Sequence, residues 1–173
     1  LNLPSVVMIF EPQPQEFFKG AEAPPRLMPF RQKFEALLGE GVDVVLCIRF
    51  DETFRNYSGM GFIEDVLIHG LGVRHLVVGD DFRFGCDRAG DFRLLQSVGQ
   101  ERGFTVENTR TVVVDGERVS STRVRNALNV NGLEEAERLL GHPYRIHGRV
   151  VYGRQLGRQI GAPTANILLH QMP

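Results

Sequence analysis

Three short apolar runs, Ser5–Phe10 (SVVMIF), Val42–Phe50 (VDVVLCIRF) and Val73–Val78 (VRHLVV), are separated by stretches of helical period. This alternation constrains the fold more than any other feature of the chain. Arg31–Gly39 sets Phe34, Leu37 and Leu38 on one helical face. Gly61–His69 does the same with Phe62, Val66 and Leu67. Asp91–Arg102 opens on Asp91, a candidate cap, and meets a stop at Gly103. A further strand is predicted over Thr111–Val114. Strands that alternate with helices predict βαβ units, hence an α/β fold: a parallel sheet with helices on both faces. Ligands of such sheets bind beyond the carboxyl ends of the strands. The loops that follow the first and third runs are therefore the places to search.

The pattern then changes. Leu133–Leu140 (LEEAERLL) reads as a short amphipathic helix between Gly132 and Gly141, and His142-Pro143 breaks it. Tyr144–Tyr152 alternates as a strand does, and a loop with Gly153, Gly157 and Gly161 follows. We place a domain boundary near Gly141, giving segments 1–141 and 142–173. The second is too short to bury a core by itself and reads as the opening of a further domain.

Composition removes several classes. A net charge of −1 argues against nucleic acid as a partner. No apolar run approaches the ~20 residues that a membrane span needs. The two cysteines imply no disulfide framework, which fits the cytoplasm, and Cys47 is expected to be a buried small hydrophobe. No His/Cys cluster has zinc spacing. Oligomeric state leaves no mark in the sequence. Asp43, Glu64 and Asp65 read as cap or surface charges.

Four motifs carry chemistry. In Arg118–Arg125 (RVSSTRVR), Ser120, Ser121 and Thr122 are N-cap candidates for a helix with Val124, Ala127 and Leu128 on one face. Unpaired N–H groups, hydroxyls and guanidinium groups together suit a polyphosphate, and they equally describe a capped surface helix with solvated arginines. Gly79–Gly85 (GDDFRFG) offers the carboxylates of Asp80 and Asp81 and the rings of Phe82 and Phe84 to a planar aromatic ligand, or else to the core. Phe10–Pro14 (FEPQP) is stiffened by Pro12 and Pro14, with Phe17 and Phe18 just beyond. Thr164 and Asn166, in Gly157–Asn166, offer alternate oxygen ligands to a hard cation held with nucleotide phosphates, or to their own backbone.

FEPQP, GVDVVLCIRF, FIEDVLIHGLGVRHLVVGDDFRFG, GDFRLL, RVSSTRVR and LLGHPYRIHGRVVYGRQLGRQIGAPTAN occur in this order. In that order they resemble the bacterial bifunctional riboflavin kinase/FMN adenylyltransferases, also called FAD synthetases. The resemblance covers essentially the whole chain. It implies a Rossmann-like nucleotidyltransferase domain over 1–141 that transfers AMP from ATP to FMN. It also implies the start of a small β-barrel kinase domain over 142–173 that phosphorylates riboflavin. Small molecules (ATP, FMN and riboflavin) are then the partners, with Mg²⁺ as cofactor.

By the same resemblance Arg118, Ser121, Thr122 and Arg125 would grip the ATP phosphates in the catalytic step. Phe18, Phe62, Asp81 and Phe84 would contact flavin, and Pro12 and Pro14 would shape its pocket edge. Thr164 and Asn166 would hold Mg²⁺ with ATP. Gln13 stands where the family usually has histidine; it keeps hydrogen-bonding capacity and cannot be protonated. The family's H-x-G-H signature, upstream of FEPQP, does not occur in this stretch. The segment is therefore expected to be a piece of a longer protein that lacks a central strand, leaves two unpaired strand edges and folds poorly alone. Two other readings remain: a non-catalytic flavin or nucleotide binder, and an adenylyltransferase of the same superfamily with another acceptor.

Overall fold

In the computed structural model, which describes residues 2–79, 81–86, 88–153, 158, 161, 162 and 164–168, the first apolar run forms strand β1 (Val6–Glu11). The second forms β2 (Val44–Arg49), parallel to β1 with Val6 opposite Val44 and Glu11 opposite Arg49. The chain divides into two compact units, Leu1–Ala23 with Val42–Thr111, and Pro24–Gly41 with Val112–Pro173.

In the first unit, β1 is followed by α1 (Pro14–Lys19), and β2 by the short α3 (Glu52–Arg55), which Asp51 caps. The next helical stretch begins as α4 (Gly59–Gly61) and continues, wound as a π-helix, over Phe62–Gly70. The third apolar run forms β3 (His75–Val78), which pairs in parallel with β4 (Thr105–Asn108). Between them α5 (Phe92–Arg102) starts where Asp91 accepts a bond from Leu94 N–H and stops at Gly103, in left-handed conformation at φ 82°. Phe62, Ile63, Leu67, Phe84, Leu95, Val98 and Phe104 form the buried core, with Met8, Leu76, Val78 and Val106 of the strands packed on it.

The parallel strands pair as β1–β2 and β3–β4, two sheets of two strands each. Among the described residues neither β1 nor β3 has a second strand on its other edge. Two details differ from the sequence reading. The parallel partner of β3 is Thr105–Asn108; of the strand predicted over 111–114, only Val113–Val114 forms one, and it lies in the other unit. Cys47 is exposed rather than buried, because it shares a face of β2 with the exposed Arg49, two residues on, and that face is left open to solvent.

The second unit contains α2 (Phe30–Gly39) and a tight hairpin, β5 (Val113–Val114) with β6 (Glu117–Arg118). Its turn residues Asp115 and Gly116 both take positive φ (55° and 80°), the conformation a two-residue hairpin turn of matching twist requires. Helices α6 (Ser121–Asn129) and α7 (Leu133–Leu140) follow, burying Val124, Ala127, Ala136 and Leu139. Of the strand predicted over Tyr144–Tyr152, only β7 (Arg149–Val151) forms, antiparallel to β8 (Asn166–Leu168). Residues 144–148 have no ladder partner among the described residues.

Two carboxylates of the first unit couple stability to pH. Asp43 is held below the ordinary carboxylate range by the Ser5 backbone N–H at 2.7 Å and the Ser5 hydroxyl at 2.8 Å. Asp91 is lowered first by the Leu94 N–H at 2.9 Å, then by Arg83 at 3.0 Å, against partial desolvation. A carboxyl depressed in the folded state stabilises above its unfolded pKa, and that contribution is lost as pH falls through the folded value. The thermal midpoint should therefore fall below about pH 4. Asp91→Asn, which can still cap α5, should flatten this acid dependence; melting curves from pH 7 to pH 3 check it.

Candidate functional site

The Arg118–Arg125 motif is built in the second unit. β6 ends at Arg118, and Ser120, extended at φ −147° and ψ 155°, caps α6 by accepting from Arg123 N–H at 3.2 Å. Of the three cap candidates the structure selects Ser120. Ser121 and Thr122 thereby become the first two helical residues, with exposed side chains and backbone N–H groups that have no partner in the helix. The positive end of the helix dipole lies at the same point. Arg118 is exposed. Arg125, one turn on and half-buried, donates Nε–H to Pro25 O at 2.7 Å, which leaves both Nη groups outside that bond.

The first unit holds the residues that the sequence resemblance assigns to flavin contact. The FEPQP loop leaves the carboxyl end of β1, and the Gly79–Gly90 loop leaves that of β3. Pro12 is exposed after a cis Glu11–Pro12 bond, Gln13 is the N-cap residue of α1, and Pro14 opens that helix. A chain of ring contacts links the two loops: Phe10–Phe54 at 5.4 Å, Phe54–Phe62 at 6.2 Å, Phe62–Phe84 at 5.4 Å and Phe84–Phe82 at 5.5 Å. Phe18 joins through Phe50, 5.7 Å away.

The rings differ in accessibility. Phe62 and Phe84 are 5% and 8% exposed, whereas Phe18 is 61% exposed and carries the Arg55 guanidinium 5.6 Å above its centroid. Gly90 lets its backbone lie against Phe84, since a Cβ there would sit 2.6 Å from the ring. Asp81 is exposed at the start of the loop; Asp80 and Asp87 lie outside the described residues. Arg83 pairs with Asp91 at 3.0 Å. The sequence reading does not single out Phe50 and Phe54 and takes Arg55 for a structural charge; the ring and cation contacts that give these residues a place here are set by tertiary packing.

Thr164 and Asn166 meet in one place. They line a cavity of about 460 Å³ in the second unit with Val150, Val151, Tyr152, Gly153, Arg158 and Ala165. That volume suits a small-molecule ligand. Asn166 is fixed on β8 opposite Val151. No cluster of three or more His, Cys, Asp or Glu side chains suited to a metal occurs among the described residues. The donors here are neutral oxygens, which fit a hard cation when phosphate supplies the remaining negative ligands. Gly157, Gln159, Ile160 and Pro163 of the same motif lie outside the described residues.

A family model described as FAD synthetase matches residues 1–123, and one described as riboflavin kinase matches 140–173. A bifunctional riboflavin kinase/FMN adenylyltransferase of Pseudomonas fluorescens is 57% identical over 169 residues, 98% of this chain and 54% of the relative. The Escherichia coli K12 protein of the same description is 53% identical over 170 residues, 98% of this chain and 54% of its own length. The chain thus spans about half the length of these relatives. A crystal structure from Streptococcus pneumoniae, described as a macrolide-efflux protein, aligns with TM-score 0.82 at 29% identity and covers 97% of this chain and 54% of that one. No helix among the described residues is long and apolar enough to cross a membrane.

Proposed function

Because the chain belongs to the FAD synthetase family, we propose that it serves flavin cofactor biosynthesis, with a Rossmann-like FMN adenylyltransferase segment over 1–141 and the beginning of a small β-barrel riboflavin kinase over 142–173. In the first reaction a phosphate oxygen of FMN attacks the α-phosphorus of ATP. The bond to the β-phosphate bridging oxygen breaks, and FAD and pyrophosphate form. Catalysis of such transfers rests on positioning and on neutralising charge at the phosphates. The start of α6 supports that role: Ser121 and Thr122 present hydroxyls and N–H groups, and Arg118 and Arg125 supply positive charge. This one arrangement carries the proposal.

The GDDFRFG and FEPQP loops serve the flavin. Phe18 offers an open ring face, Asp81 a carboxylate at the loop start, and Pro12 and Pro14 a stiff edge; Phe62 and Phe84 set the aromatic floor. In the second reaction the riboflavin 5′-hydroxyl takes the γ-phosphoryl of ATP, giving FMN and ADP. Thr164 and Asn166 would hold Mg²⁺, which when bound supplies positive charge to the nucleotide phosphates. The cytoplasm is the proposed location.

The test is a pair of assays on the full chain. ATP with FMN should give FAD and pyrophosphate, and ATP with riboflavin should give FMN and ADP. Adenylyl transfer to pantetheine phosphate or nicotinate mononucleotide, with none to FMN, would remove the flavin assignment. Binding of FMN without release of pyrophosphate would make the segment a non-catalytic binder.

A further inference from the structure

Arg123, the third residue of α6, points away from the solvent that Ser121 and Thr122 face; its side chain is 19% exposed. Its Nη1 donates to Val114 O at 2.8 Å and Glu117 O at 3.3 Å, the carbonyls on either side of the Asp115-Gly116 turn. Its Nη2 donates to Glu135 Oε1 on α7 at 2.8 Å. Asp115 and Glu117 carboxylates lie 4.0 Å and 3.7 Å from the same guanidinium. Arg138 closes the network, pairing with Asp115 at 3.1 Å and with Glu135.

The hairpin it grips is two residues per strand, too short to hold its own register in water. The far strand of that hairpin ends in Arg118, and α6 begins at Ser121 after two intervening residues. One guanidinium thus spans hairpin, α6 and α7. A planar fork can bond two carbonyls and a carboxylate at once, which a lysine ammonium on a flexible stem matches poorly.

We propose that Arg123 is a positioning residue for nucleotide binding: it pins the β5–β6 hairpin and so sets Arg118 beside the first turn of α6. The inference rests on the reading of that turn as the ATP-phosphate site. Arg123 touches no phosphate itself. Its loss lets Arg118 wander and weakens capture of ATP, while the atoms at the reacting centre stay in place.

Arg123→Gln and Arg123→Lys in the full chain test it. The KM for ATP in FAD formation should rise about five- to tenfold in both, with kcat within about threefold and the KM for FMN unchanged. Riboflavin phosphorylation should be unaffected. If Arg123→Gln fails to fold, Arg123→Lys, which keeps the charge and the stem, carries the test. A lowered thermal midpoint with an unchanged KM for ATP overturns the inference and makes the network purely structural. Arg125→Ala run in parallel separates the two levels. If that variant loses FAD formation while the Arg123 variants keep their KM for ATP, only the positioning role is wrong. If it loses nothing, the ATP-site reading itself is wrong.

Discussion

Arg125→Ala in the full chain should slow FAD formation by about 30- to 1,000-fold and leave riboflavin phosphorylation nearly intact. That range corresponds to about 2–4 kcal/mol, the usual cost of removing one charge-directed donor from a preorganised site. Arg125 is suited to the role because α6 fixes its backbone and Pro25 O orients its Nε, with both Nη groups outside that bond. A guanidinium held in this way needs no reorganisation as negative charge accumulates on the leaving pyrophosphate. Arg125→Lys should fall between wild type and alanine, since it keeps the charge and loses the fork. The alanine variant also loses the bond to Pro25 O, so the kinase rate and the melting temperature serve as controls for folding. Rates of FAD and pyrophosphate release are the measurement, and an unaltered rate excludes Arg125 from the reaction.

Where a local signal names its own terminus, the sequence announces the element. Asp91 caps the start of α5, and left-handed Gly103 and Gly141 stop α5 and α7, because a cap side chain and a left-handed glycine each act within one turn of the chain. β1 and β2 are equally plain, since their apolar runs are long. β4 is not: Thr105–Asn108 has one large apolar residue, Val106, and Glu107 and Asn108 hide it among loop residues. Its strand state depends on the edge of β3, a long-range partner that no local pattern reveals. The β5–β6 hairpin has its signal in Asp115-Gly116, but the apolar run Thr111–Val114 beside it predicts one strand of the parallel sheet.

The candidate site divides the same way. Ser121, Thr122 and Arg125 fall where a helix start puts them, so spacing alone could suggest their role. Phe50 and Phe54 could not be foreseen, because they matter only as rings between Phe18 and Phe62, and ring-to-ring contact is set by tertiary packing. Arg123 is hidden for a related reason. In sequence it is one more arginine in RVSSTRVR, and only burial distinguishes a pin from a ligand. Cys47 shows the limit of an apolar run: the run forms a strand, but whether a face is covered depends on what else reaches it.

The mirror experiment concerns Thr164 and Asn166. Thr164→Ala or Asn166→Ala should reduce riboflavin phosphorylation about a hundredfold and spare FAD formation from supplied FMN. Both side chains line the same cavity of about 460 Å³, and each contributes one neutral oxygen. Neither alanine removes a backbone bond, so the pairing of Asn166 with Val151 can persist and the loss can be assigned to the oxygen. Thr164→Ser keeps the hydroxyl and should retain most of the kinase rate. Asn166→Asp replaces the amide oxygen with an anionic one, a stronger ligand for a hard cation, and should shift the Mg²⁺ concentration needed for half-maximal rate downward. Separate assays with riboflavin and with FMN read the two activities. Should both fall together in Thr164→Ala, the cavity beside β8 would serve adenylyl transfer as well, and the division into two sites would have to be abandoned.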